Sequence, residues 1–96
     1  MASSKDYLLF VLELLRLVPN INYKKMMGEY LLYQDATLFG GIYDDRFLVK
    51  KSKSLLNKGF KEVIPYPGAK EMLLIDIEDE EEIKEIVNLV VSDMKK

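Results

Sequence analysis

The sequence contains no cysteine, no histidine and no tryptophan. Without cysteine there is no disulfide framework and no thiol nucleophile, which fits a protein of the reducing cytoplasm. The lack of histidine removes the commonest general base and, together with the lack of cysteine, the usual ligands of zinc and iron. We therefore expect a cytoplasmic protein that is not an enzyme and that carries no cofactor and no metal.

Long apolar runs are also missing, although 49% of the 96 residues are hydrophobic. Glu13 and Arg16 interrupt the longest apolar segment, so we expect no transmembrane helix and no contact with membranes. No small-residue cleavage site follows that segment, which argues against a signal peptide. This length predicts a single domain over residues 1–96.

Neither sign of charge is in large excess, because 14 basic and 16 acidic residues give a net charge of −2. This balance makes direct binding to nucleic acid an unfavoured hypothesis. The charges are segregated, with six bases and no acid in residues 46–61, and eight acids and one base in residues 71–85. Either the fold displays a basic and an acidic surface, or the charges simply solvate it.

Two longer helices are predicted at the ends of the chain. The first, at residues 4–18, has Ser3 or Ser4 as its N-cap and is apolar around most of its girth, because Leu9 and Leu14 widen the usual stripe. It needs burial on two sides, either between layers of the domain or against another chain. The second, at residues 79–95, begins with an acidic capping pattern and has one apolar face.

Alternating and apolar stretches between these helices predict an antiparallel sheet, with residues 20–22 as a connector. A short helix is expected from residue 52 or 53 to Gly59. The order αβββαββα predicts an α+β, two-layer sandwich whose helices cover one face of the sheet. The five strands are placed at about residues 25–33, 37–43, 46–50, 61–66 and 71–77.

Two short motifs invite a functional interpretation. Gly40 and Gly41 lack the spacing of a phosphate-binding loop, so a bulge or a close backbone approach is the favoured prediction. Asp44 and Asp45 lie where a hairpin needs turn residues, and a turn is therefore favoured over a partner contact or a metal site. A hydrolase that uses only carboxylates stays an open alternative.

Tyrosines are the remaining candidates for a functional surface. Tyr30, Tyr33 and Tyr43 lie on the first two predicted strands, and some of them must point away from the core. Exposed tyrosines suit protein contacts, and they also suit stacking on single-stranded bases. Together with Leu9 and Leu14 of the first helix, they form the predicted interaction surface.

Three segments, in this order and spacing, resemble the TfoX N-terminal domain family, which is named for bacterial competence regulators also called Sxy. Residues 25–33 (KMMGEYLLY) resemble the family's Met-Phe-Gly-Gly-x-x-Leu-Tyr strand, with Met27 in place of the phenylalanine and Glu29 in place of the second glycine. Residues 44–50 (DDRFLVK) are similar to its Asp-Asp-x-Leu-Tyr-Leu-Lys. Residues 65–70 (PYPGAK) match its stand-alone, single-domain members. The resemblance covers about residues 20–92.

The resemblance implies a two-layer αβββαββα sandwich that is similar to secretion-chaperone folds. Such folds often form homodimers, and the apolar first helix would supply the contact. Competence regulators of the family act beside transcription machinery through protein contacts, without being enzymes, and carry a second, helical domain. We therefore expect a non-enzymatic interaction domain that regulates transcription or competence. A module that binds a small molecule or single-stranded nucleic acid on a tyrosine-bearing sheet face is the alternative.

Overall fold

The computed structural model describes residues 3–95 and shows an α+β fold with an open antiparallel sheet. The α+β class and the antiparallel sheet are confirmed, but the predicted count of five strands is wrong, because residues 3–95 form six. The elements in chain order are α1 (Lys5–Leu14), β1 (Ile21–Met26), β2 (Glu29–Gln34), β3 (Thr37–Ile42), β4 (Phe47–Lys50), a 3₁₀ helix (Lys53–Lys58), β5 (Glu62–Val63), β6 (Met72–Leu74) and α2 (Glu80–Met94).

The additional strand exists because the segment predicted as one strand at residues 25–33 folds back on itself. Met27 and Gly28 have positive φ angles of 53° and 84° and form the turn between β1 and β2. Glycine adopts such angles without strain, whereas a bulky residue such as methionine rarely does. Residues 21 and 22, predicted as part of a connector, consequently belong to β1.

The strands lie in the spatial order β1-β2-β3-β4-β6-β5, so β1 and β5 form the two edges of the sheet. Asp44 and Asp45 join β3 to β4, with φ angles of 53° and 55°. The backbones of Tyr43 and Arg46 exchange two hydrogen bonds of 3.0 Å across this turn. Positive φ at both central residues is the geometry of a type I′ turn, and the predicted turn is confirmed.

A bulge lies where the glycine pair predicted one. The register between β2 and β3 shifts at Leu32 and Tyr33, so that Phe39 has no partner in the ladder. A Cβ atom on Gly40 would lie 2.3 Å from the carbonyl oxygen of Leu48. The prediction of a bulge with a close backbone approach is therefore confirmed.

The predicted helix caps are also present, although α1 ends earlier than residue 18. Ser4 caps α1 by accepting a hydrogen bond from the backbone N–H of Tyr7 at 3.1 Å. Asp79 caps α2 by accepting hydrogen bonds from the first-turn N–H groups at 3.0 and 3.2 Å. Gly59 follows the 3₁₀ helix in the left-handed conformation. These caps satisfy backbone groups that a helix end leaves without partners.

Both α-helices contribute to a single core on one face of the sheet. Tyr30 and Leu32 of β2 reach this core from the sheet, and Leu55 reaches it from the 3₁₀ helix. The two α-helices and the turn after α1 supply ten more buried side chains: Leu8, Val11, Leu14, Leu15, Val18, Ile83, Ile86, Val87, Val90 and Val91. No helix within residues 3–95 is long and apolar enough to cross a membrane.

Candidate interaction surface

The face of the sheet that turns away from the helices is rich in apolar side chains. Successive residues of a strand point to opposite faces, so Leu31 and Tyr33 point away from the core that contains Tyr30 and Leu32. The strand register extends this second set of side chains across the sheet. The helix-free face, as we call it, consists of Leu31, Tyr33, Leu38, Tyr43, Leu48, Met72 and Leu74.

Most side chains of the helix-free face are only half-buried. Leu48 is the exception, because its side chain is fully buried between Gly41 and Leu74 in the strand register. Lys24 and Lys50 lie on the same face, paired with Leu31 and Met72 respectively. The face therefore combines an apolar, aromatic centre with basic residues at its sides.

Tyr43 lies over the middle of the helix-free face. A Cβ atom on Gly41 would meet the Tyr43 ring at 2.7 Å, so the ring occupies the space above this glycine. The ring centroid of Tyr66 is 6.1 Å from that of Tyr43. Burial raises the pKa of the Tyr43 hydroxyl, with smaller contributions from Tyr66, Glu29 and Tyr33. Three tyrosines are thus gathered on one surface.

A shallow cleft of about 400 Å³ borders this tyrosine group. Glu29, Asp44 and Arg46 line one part of it, and residues 64–67 line the other. Arg46 donates a hydrogen bond from Nε to the carbonyl oxygen of Tyr43 at 3.2 Å, which holds its guanidinium beside the cleft. The cleft therefore offers charges of both signs next to exposed aromatic and apolar groups.

The carboxylates at this end of the sheet hold the N-terminal segment in place. Glu29 accepts hydrogen bonds from Ser3 Oγ at 2.6 Å and from the backbone N–H of Asp44 at 3.1 Å. Asp45 accepts a hydrogen bond from the backbone N–H of Ser4 at 2.8 Å. Within residues 3–95 no group of three acidic side chains could hold a metal ion. These carboxylates connect two hairpin turns to the start of α1.

A second hollow, of about 590 Å³, lies between the end of α2 and the 3₁₀ helix. Asp93 accepts hydrogen bonds there from Ser52 Oγ and, at 3.1 Å, from Ser54 Oγ. Three lysines also line this hollow: Lys50, Lys51 and Lys53. Both serine hydroxyls are thus bonded to Asp93. These hydrogen bonds join the end of α2 to the start of the 3₁₀ helix.

The predicted surface residues divide into three groups in the structure. Tyr33 and Tyr43 lie together on the helix-free face. Leu9 is 53% exposed, but it lies on α1, on the other side of the sheet. Leu14 and Tyr30 are 8% and 6% exposed, so they have little area to offer to a partner.

Several residues of this surface carry no clear signal in the sequence. The sequence places Tyr66 only at the end of the predicted strand at residues 61–66, and its contact with Tyr43 joins segments that are distant along the chain. Leu31 and Leu38 were not singled out, because apolar residues occur on both faces of the predicted strands. For Met72 and Leu74 a signal existed, since their alternation placed them on one face of a strand.

Comparisons with known proteins add no assignment, because neither a protein-family model nor a curated protein matches the sequence. The resemblance to the TfoX N-terminal domain accordingly rests on the three sequence segments described above.

Proposed function

We propose that this protein is a non-enzymatic interaction domain of the TfoX N-terminal type, which regulates transcription or competence by binding a protein partner. The observation that supports this function is the apolar character of the helix-free face. Apart from the buried Leu48, its apolar side chains are half-buried and adjoin Tyr66, which is 57% exposed. A contiguous, partly exposed apolar surface on a small domain is typical of a contact site, and tyrosine is enriched in such sites.

The test is a comparative pull-down from a lysate of the organism that encodes the protein. Leu74→Glu places a charge on the helix-free face at a half-buried position of β6, a strand that three others separate from β1. The matched control is Leu56→Glu, because Leu56 is 51% exposed on the 3₁₀ helix, outside that face. Circular dichroism and thermal melting verify that both variants are folded.

We expect a component of the transcription machinery to bind the wild-type protein and the Leu56→Glu variant, and to be lost from the Leu74→Glu variant. Equal recovery with both variants would show that the helix-free face is not the contact site. Loss of every specific protein already at moderate salt would indicate that charge alone held it, and the proposal would be abandoned.

A second function has one observation in its favour. Tyr33, Tyr43 and Tyr66 form an aromatic group, and Lys24 and Lys50 share the face with Tyr33 and Tyr43. Aromatic rings among basic residues bind single-stranded nucleic acid by stacking and charge, and such a surface also accommodates planar small molecules.

Fluorescence anisotropy of labelled single-stranded oligonucleotides tests this alternative, with a thermal-shift screen for small molecules beside it. Binding that weakens with salt and is reduced by Tyr43→Ala would support it. A flat titration together with a flat screen would remove it and leave protein binding as the function.

A further inference from the structure

β1 is an edge strand that presents unpaired backbone groups to the solvent. The turn between β1 and β2 makes Met26 and Glu29 a pair that is joined by backbone hydrogen bonds. From this pair along the two strands, hydrogen-bonded pairs alternate with pairs that are not hydrogen-bonded. Within residues 3–95, no backbone hydrogen bond outside the ladder to β2 occupies the groups that point outward. These are the N–H and C=O groups of Ile21, Tyr23 and Lys25.

This edge is long and open in comparison with the other one. All residues of β1 after Ile21 are exposed, and Tyr23 and Met26 are 48% and 51% exposed. The opposite edge, β5, has only two residues, and Glu62 on it forms an ion pair with Lys51 at 3.1 Å. A further strand therefore has room to pair along β1 but little along β5.

The charge of the edge indicates which strand it would accept. Lys24 and Lys25 are consecutive, β1 has no acidic residue, and neither lysine forms an ion pair in the described part of the chain. Glu29, opposite Met26, is engaged by Ser3 and Asp44. Pairing with a second copy would bring together two lysines from each chain, which is how edge strands avoid self-association.

We propose that β1 binds an extended acidic segment of a partner protein, which adds to the sheet as an antiparallel strand. Two consecutive acidic residues would lie opposite Lys24 and Lys25, one on each face of the sheet, and an apolar residue would cover Tyr23. Backbone hydrogen bonds supply affinity in this mode of recognition, and the side chains supply selectivity. Lys24 lies at the side of the helix-free face as well, but the outward backbone groups of β1 belong to the edge alone.

The probe is a fluorescent peptide with the sequence Val-Glu-Glu-Val-Thr-Val, whose glutamates align with the two lysines in the antiparallel register. Two N-methylated forms separate backbone pairing from charge. One is methylated on the second, fourth and sixth residues, whose amides would face β1, and the other on the first, third and fifth. Anisotropy measures affinity, and amide chemical shifts of the protein locate the site.

We expect saturable binding with shifts at Ile21, Tyr23 and Lys25. The form methylated on the amides that face β1 should bind at least about tenfold more weakly, and the other form should keep most of the affinity. The Lys24→Glu/Lys25→Glu variant should lose the acidic peptide and gain one with lysines in place of the glutamates. These substitutions leave the core untouched, since both positions are exposed.

Four outcomes would overturn the proposal. In two of them, the peptide does not bind at about millimolar concentration, or the two methylated forms bind equally well. In the other two, the changes in amide chemical shift are confined to the hollow at residues 50–54, or the protein forms a stable β1-paired dimer that excludes the peptide. The Leu74→Glu variant should bind the peptide normally, because β6 is separated from β1 by three strands. A failure of the helix-free face as a contact site is therefore distinguishable from a failure at this edge.

Discussion

Gly40 occupies a position where the backbones of β3 and β4 leave no room for a side chain. A Cβ atom there would lie 2.3 Å from the carbonyl oxygen of Leu48 and 2.9 Å from the Cα atom of Val49. Both neighbours are backbone atoms in a paired strand, so relief requires that the strands separate. Glycine is therefore required at position 40 for steric reasons. At position 59 the reason is different, because the backbone there is in the left-handed conformation.

Gly40→Ala should lower the free energy of unfolding by about 1–3 kcal/mol or more, because it overpacks a paired region of the sheet. Gly59→Ala is the matched control, since its φ is 78° but nothing lies within 4 Å of the added methyl group. It should lower the free energy of unfolding by only about 1 kcal/mol, the usual penalty for left-handed geometry. Urea denaturation measures both, and equal losses would contradict the steric explanation.

The raised pKa of Tyr43 predicts that the protein loses stability at alkaline pH. Burial raises the pKa of its hydroxyl above the unfolded value, so the folded state favours the protonated form. The resulting contribution to stability is complete below pH about 10 and is lost as the pH rises through the folded pKa. Unfolding measured between about pH 8 and 11 should show this loss, and Tyr43→Phe should make it smaller. An unchanged slope in the variant would exclude Tyr43 as a cause.

At the scale of elements, α2 and its cap follow directly from the sequence because the signals are local. Asp79→Ala removes the acceptor for two first-turn N–H groups. It should lower the free energy of unfolding by about 1 kcal/mol. Urea denaturation of this variant and of Glu85→Ala, an exposed position beyond the first turn, provides the comparison. Equal effects of the two substitutions would argue against capping.

The division of residues 21–34 into β1 and β2 is harder to predict from the sequence. Met27 turns the chain although methionine is seldom found at positive φ, and Gly28 alone does not distinguish a turn from a bulge. In β2, Tyr30 and Tyr33 have opposite orientations, and apolar residues on both faces conceal which of the two is buried. Alternation therefore predicts that tyrosines occupy both faces, but packing decides that Tyr33 is the accessible one.

At the scale of the whole molecule, α1 is covered on one side only. Leu8 and Val11 are in the core, while Leu9 and Phe10 are 53% and 42% exposed on the outer side. Leu17, in the turn after α1, is 37% exposed. A helix that is apolar around most of its girth needs burial on two sides, and a second copy of the chain would provide the other side.

We expect the protein to dimerise through these exposed residues of α1 and of the turn that follows it. Leu9→Lys combined with Leu17→Lys should shift the dimer to monomer without unfolding it, because both positions are exposed. Sedimentation velocity over a range of concentrations measures the change. Leu56→Lys, at a similarly exposed position on the 3₁₀ helix, is the control. A wild-type protein that stays monomeric at all concentrations would contradict the expectation.

The exposure of Met27 has a chemical consequence. This side chain is 95% exposed at the tip of the β1–β2 hairpin, whereas Met72 is half-buried in the sheet. Mild peroxide should therefore convert the Met27 thioether to its sulfoxide well before that of Met72. Because the Met27 side chain makes no core contact, its oxidation leaves the fold intact. The rate of oxidation therefore reports how accessible this hairpin is to the solvent. A partner that pairs along β1 would cover Met26, which is 51% exposed, and slow its oxidation relative to that of Met27. Tandem mass spectrometry of the hairpin peptide distinguishes the two sulfoxides.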